Sequence, residues 1–201
     1  MTRLLLALAV SYVLGSISFA YLAGRLKGMD LRRHGSGNLG ATNVLRTLGA
    51  PWAAAVLALD AAKGVAAVLL VPRLLGPGPE AWPLACGVAA IGGHVWPVFL
   101  RFRGGKGVAT AAGAFAALAP VPFLAALAAF GLVLLATRYM SLGSLTGAAV
   151  LPVGVALLRG ARDPLFFVSV GVALFVFWTH RANLDRLRRG VEPRVGQKTV
   201  A

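Results

Sequence analysis

The sequence predicts an all-α integral membrane protein of about seven transmembrane helices, forming one polytopic membrane domain over residues 1–201. Two observations predict it. Of the 201 residues 58% are hydrophobic and 13% charged, with a mean hydropathy of +0.79, more apolar surface than a soluble domain of this size hides in one core. The basic residues also sit between apolar runs instead of along one polar face. That placement suits loops meeting anionic headgroups or phosphate, and it argues against a nucleic-acid partner despite a net charge of +14.

The apolar runs fall near 4–24, 51–71, 82–100, 107–119, 121–137, 142–158 and 164–179, each bounded by Arg, Lys, Gly or Pro. The first resembles a secretion signal but runs too long without a small-residue cleavage site. It reads instead as a spanning helix, for which about 20 apolar residues match a hydrocarbon core of about 30 Å. The fourth is short and ends at Pro120 and Pro122, so it is expected to be tilted, re-entrant or merged with its neighbour. The single Cys86 lies inside an apolar run and reads as a packing residue, which leaves no disulfide or thiolate cluster. Gly143 and Gly147, at GxxxG spacing, read as helix-packing residues, and the oligomeric state is left open.

Orientation follows from the placement of Lys and Arg. With the N-terminus outside, Arg25, Lys27, Arg32, Arg33, Arg46, Arg101, Arg103, Lys106, Arg138, Arg181, Arg186, Arg188, Arg189, Arg194 and Lys198 fall on the cytoplasmic side. Only Arg3, Arg73, Arg159 and Arg162 fall outside, and Lys63 lies within a helix. Fifteen against four favours an N-out, C-in protein of the bacterial cytoplasmic (inner) membrane.

Three polar stretches then share the cytoplasmic face, LKGMDLRRHGSGNLGATNVLRTLG, GGHVWPVFLRFRGGKGVAT and THRANLDRLRRGVEPRVG. In the first, Gly35, Gly37 and Gly40 form a GxGxxG with Asp60 twenty residues on. A spanning helix precedes them, so the dinucleotide reading fails for want of a strand. What remains is Gly-rich backbone beside Ser36, Asn38, Thr42, Asn43 and Arg46, a donor set suited to an anion. In the second, RFRGGKG lacks the first Gly and the Ser/Thr of a Walker loop. Gly104, Gly105 and Gly107 still allow close backbone approach, while Arg101, Arg103 and Lys106 carry charge for phosphate. Lys106 is the preferred ligand among them.

His34, His94 and His180 map to cytoplasmic helix ends. No carboxylate or thiolate cluster accompanies them and the surrounding charge is positive, so no metal is expected. His94 and His180 suit a phosphate contact or general acid/base work, with a hydrogen-bonded interfacial role as the plain alternative. Asp60 and Lys63, three apart on one helix, are expected to pair and to face the bundle.

The motifs GSGNLGATNVLRTLG, GGHVWPVFLRFRGGKGVAT and HRANLDRLRRGVEP, with LDAAKG at 59–64 and RYMSLGS at 138–144, together resemble the bacterial acyl-phosphate:glycerol-3-phosphate acyltransferase family, PlsY, over nearly the whole chain. The resemblance implies a seven-helix enzyme without cofactor. Its substrates would be acyl phosphate and sn-glycerol 3-phosphate, its surroundings membrane lipid, and its products lysophosphatidate and inorganic phosphate. By motif position it assigns Ser36, Asn38, Arg46, Lys106, His180 and Asn183 to catalysis. Gly37, Thr42, Asn43, His94, Gly104, Gly105, Gly107, Ser141 and Glu192 are assigned to substrate binding. Ala182 and Leu184 depart from the family pattern, which weakens the transfer to Glu192.

The residues fit this chemistry on their own account. Both substrates carry phosphate, and acyl phosphate is already activated, so holding two anions in line supplies much of the acceleration. Arg46 and Lys106 would offset their repulsion, and Ser36, Asn38 or Asn183 could stabilise an oxyanion. The proton acceptor is either a substrate phosphate oxygen or His180. An acyl-Ser36 intermediate is disfavoured because no activating base is spaced for it. A transporter of phosphorylated solutes is the rival from another class, though no internal repeat supports it.

Overall fold

The computed structural model describes residues 1–76 and 78–197, so Lys198, counted above on the cytoplasmic side, lies outside the described residues. The described residues contain helices and no strand. They form two compact units, Met1–Leu118 and Ala119–Ala201.

The first unit contains α1 (Thr2–Ser16), α2 (Phe19–Leu26), α3 (Ala41–Thr47), α4 (Ala50–Leu69), the single turn α5 (Val71–Leu74), α6 (Trp82–Val95) and α7 (Val108–Leu118). The expected first helix is broken at Ile17, although no Gly or Pro stands there. Two polar groups make the break possible. Ser18 caps α2 by accepting from the Tyr21 N–H at 3.3 Å, and Lys63 Nζ donates to the Ile17 carbonyl at 2.7 Å. The pair α1–α2 still reads as one span, Thr2–Leu26. Gly15 and Gly93 let α1 and α6 meet backbone to backbone, since a Cβ on either would collide with the other helix; Gly64 and Gly113 do the same for α4 and α7.

The second unit contains α8 (Pro120–Thr137), α9 (Met140–Arg159), α10 (Pro164–Thr179) and α11 (Arg181–Arg188). Pro120 and Pro164 open their helices at the first turn, where the missing N–H costs nothing. Asp163 caps α10 by accepting from the Leu165 N–H at 2.7 Å. Gly143 and Gly147 pack α9 on Phe130 and Ala126 of α8, an intrachain use of the GxxxG spacing.

Among the described residues, five stretches are long and apolar enough to cross a membrane: Thr2–Leu26, Ala50–Leu69, Trp82–Leu100, Pro120–Thr137 and Met140–Arg159. A sixth is α10 followed after a 58° bend by α11. The fourth apolar run, 107–119, forms α7, whose 11 residues rise only about 16 Å. Ala119, forced out of helical geometry by the following proline, separates α7 from α8. Leu135, Leu157 and Leu174 are 82%, 80% and 67% exposed, an outward apolar surface that only lipid solvates well.

Candidate active-site residues

The Gly-rich stretch between α2 and α4 is an ordered loop nailed down by apolar residues. Leu31, Leu39 and Val44 are buried with Ala20, Ala23, Val56 and Leu100. Asn43, also buried, organises the turn above them. Its Oδ1 accepts from the Ser36 N–H at 2.9 Å, and its Nδ2 donates to the carbonyls of Leu31 and His34 at 3.2 and 3.1 Å. Gly35 has φ +58°, and a Cβ there would collide with Asn43 Oδ1, so the glycine and the amide require each other. Ser36 is exposed at the tip, while Asn38, Thr42 and Arg46 are half-buried around it. Asn43, expected as a ligand, therefore has its amide engaged by the backbone of the loop.

The second stretch turns back on the end of α6. The N–H groups of Gly104 and Gly105 donate to the carbonyls of Val95 and His94, each at 3.1 Å. A Cβ on Gly104 would strike the His94 carbonyl, and one on Gly105 would strike His94 Nε2 and the Leu39 carbonyl. These glycines are thus required by the fold of the loop, and their amides are already donated. Gly107, at φ +81°, turns the chain into α7, leaving half-buried Lys106 between two buried glycines. Arg101 and Phe102 just before have φ 53° and 60°, a left-handed pair held by the Phe102 N–H to Pro97 carbonyl bond at 3.0 Å.

His94 itself is buried. Its Nδ1 lies 3.5 Å from Asp60 Oδ1, and the same oxygen is 2.7 Å from Lys63 Nζ. The expected Asp60–Lys63 pair is present, but the histidine partner was not expected, because nothing in one helix's spacing points to a residue on another.

In the second unit the polar residues gather on one carboxylate. Glu192 Oε1 accepts from Ser141 Oγ at 2.7 Å and from Asn183 Nδ2 at 2.6 Å, and Oε2 accepts from Arg186 Nε at 2.7 Å. Burial pushes the Glu192 carboxyl up, but hydrogen bonds from Asn183, Ser141 and Arg186, with the charge of Arg186, outweigh it and hold it below the usual range. The carboxylate lies beside a cavity of about 460 Å³ lined by Tyr139, Val191, Arg194 and Gln197 among others. His180, at the bend between α10 and α11, is buried, and its Nδ1 is 2.9 Å from the Val176 carbonyl. That bond makes Nδ1 the donor and Nε2 the basic nitrogen of the ring.

Comparison with known proteins decides what these clusters belong to. Residues 5–190 match the family model for glycerol-3-phosphate acyltransferase. Proteins named glycerol-3-phosphate acyltransferase from Desulforamulus reducens and Anaeromyxobacter dehalogenans are each 47% identical; the alignments cover 94% and 93% of this chain and 93% and 94% of theirs. The chain belongs to the glycerol-3-phosphate acyltransferase family. Two crystal structures of PlsY, an integral membrane glycerol 3-phosphate acyltransferase, also superpose on it. The glycerol 3-phosphate form has TM-score 0.88 and 36% identity, covering 96% of both chains. The lysophosphatidic acid form has TM-score 0.84 and 35% identity, covering 96% and 95%. The chain is accordingly an all-α, multi-pass integral membrane acyltransferase.

The motif residues divide between the two units. Ser36, Asn38, Thr42, Arg46 and Lys106 surround or follow the two loops of the first unit. Ser141 and Asn183 are engaged with Glu192 in the second.

Proposed function

We propose that this chain transfers a fatty acyl group from acyl phosphate to the 1-hydroxyl of sn-glycerol 3-phosphate, giving lysophosphatidate and inorganic phosphate. The observation that carries the reading is the full-length match to PlsY in two forms, one named for the acceptor glycerol 3-phosphate and one for lysophosphatidic acid. Acyl phosphate as donor is supported by the cationic, donor-rich loops and by the absence of any need for further activation of a mixed anhydride. The excess of Lys and Arg supports an N-out protein of the cytoplasmic membrane working on its inner face, with about seven membrane segments when α7 and α10 are counted.

Ser36, Asn38, Thr42 and Arg46 of the first loop and Lys106 of the second hold the phosphates, Arg46 by its bidentate fork and Lys106 as a point charge. In the transfer the acceptor hydroxyl oxygen bonds to the acyl carbon. The bond from that carbon to the phosphate oxygen breaks, and the hydroxyl proton passes to the departing phosphate. His180, through Nε2, is the competing acceptor for that proton. Asn183 and Ser141 are held by Glu192 and orient the second cluster.

The test follows phosphate release from palmitoyl phosphate by protein purified in lipid, with and without sn-glycerol 3-phosphate, alongside Arg46→Ala, Lys106→Ala and palmitoyl-CoA. Acceptor-dependent release that both variants lose is the expected result. Turnover of palmitoyl-CoA alone would refute the donor and keep the acyltransferase. If His180→Gln stopped the chemical step while both substrates still bound, proton transfer to the substrate phosphate would be refuted.

A further inference from the structure

We propose that Asp60 and His94 are positioning residues, a buried pair that sets the place of the Gly104–Lys106 loop from beneath. Three observations converge on it. Asp60 is 1% exposed within a membrane span, and its Lys63 partner already supplies the neutralising charge at 2.7 Å. Yet the same carboxylate oxygen also lies 3.5 Å from Nδ1 of His94, on a different helix. The opposite edge of that ring, Nε2, occupies the space a Gly105 Cβ would fill, and the Gly105 N–H donates to the His94 carbonyl at 3.1 Å.

The chain of contact is continuous. The carboxylate faces Nδ1 and so selects the ring that carries its proton there. The ring, fixed in orientation, is the floor on which Gly105 rests, and Lys106 is the next residue. Lys63 serves the other end of the pair, where its ammonium closes the broken first span at the Ile17 carbonyl. One charged cluster thereby ties the α1–α2 break, α4 and the end of α6 to the loop that presents Lys106. For a catalyst that works by holding two anions in line, a small displacement of that loop is costly.

The kinetic part of this inference rests on the acyltransferase reading, so its test has one arm that does not. In lipid nanodiscs, ¹⁵N-histidine NMR, assigned by loss of signal in His94→Gln, should find His94 protonated on Nδ1. The paired variant Asp60→Asn/Lys63→Met, which removes both charges together, should abolish that preference. An Nε2-protonated ring in the wild type, or an unchanged tautomer in the variant, would overturn the proposal. In the kinetic arm, His94→Gln and the paired variant should each lower kcat/KM per folded protein about 10- to 100-fold. Combining them should add little. Losses that merely track the amount of folded protein, with kinetics per folded molecule unchanged, would mean a structural role and sink it. Absence of any turnover in the wild type beside an Nδ1-protonated His94 would refute the acyl-phosphate reading and leave the positioning pair standing.

Discussion

In the first unit the polar loops are held by a side-chain amide and by backbone. Asn43 bonds three main-chain groups at the Ser36 turn, and glycines admit the close contacts of the Lys106 loop. In the second unit a single buried carboxylate, Glu192, collects Ser141, Asn183 and Arg186. The difference teaches where charge is tolerated. The Ser36 turn is organised by a neutral amide, whose bonds to the backbone need no counter-charge. A scaffold built on Glu192 instead neutralises its carboxylate with Arg186.

The sharpest way to break the first arrangement is Asn43→Ala. It strands the Ser36 N–H, worth about 1–3 kcal/mol when left unsatisfied, and removes one of two donors from each of the Leu31 and His34 carbonyls, which keep the His34 and Gly37 N–H groups. A fall of about 1–3 kcal/mol in stability and near-complete loss of acyl transfer are expected in thermal unfolding and phosphate-release assays. Asn43→Asp, which keeps the Ser36 acceptor but loses the amide donors, should fall between it and the wild type.

Gly105→Ala tests the same loop more narrowly. The added methyl meets the His94 ring and the Leu39 carbonyl at once, and overpacking of this kind costs about 1–3 kcal/mol. Acyl transfer should drop at least about tenfold because Lys106 moves with the loop. A fully active Gly105→Ala would show that the loop tolerates displacement.

Glu192 marks the contrast through pH. Its carboxyl is held below the ordinary value of 4.5 in the folded state, so the unfolded chain takes up the proton more readily. Its stabilisation is complete above about pH 4.5 and is lost as pH falls through the lower folded value. Glu192→Gln should flatten that acid limb of the unfolding temperature and cost about 1–3 kcal/mol at neutral pH, from the lost charge-assisted bond to Arg186. An unchanged acid limb would remove Glu192 as the hub.

Much of this was legible in the sequence because the signals are local. Apolar runs longer than a bilayer needs, basic residues at their ends and three glycine- or amide-rich stretches each lie within one segment. Asp60 and Lys63 pair at helical spacing, as expected. What was not legible depends on residues distant in the chain. The break at Ile17 is made good by Lys63, 46 residues away. The glycines around Lys106 looked like space for a ligand, whereas Gly104 and Gly105 are needed to pass His94. Asn43 looked like one donor among several, since the sequence cannot say which amide turns inward.

The smallest expected effect sharpens the comparison from the surface. Asp30 caps the 3₁₀ turn Leu31–Arg33 by accepting from the Arg32 N–H at 3.1 Å, and pairs with the Arg32 side chain at 2.7 Å. The side-chain and backbone hydrogen bonds from Arg32 lower its carboxyl to about 2. It is the one carboxylate in the Gly-rich stretch, but it is half-buried and already claimed by Arg32, so it does not compete with a phosphate at Ser36. Asn caps as well as Asp, and an exposed ion pair in water adds little. Asp30→Asn should therefore leave the unfolding temperature and the KM for glycerol 3-phosphate nearly unchanged, with any difference vanishing in high salt. A marked fall in that KM would mean that Asp30 repels the substrate and that its pairing with Arg32 does not silence its charge.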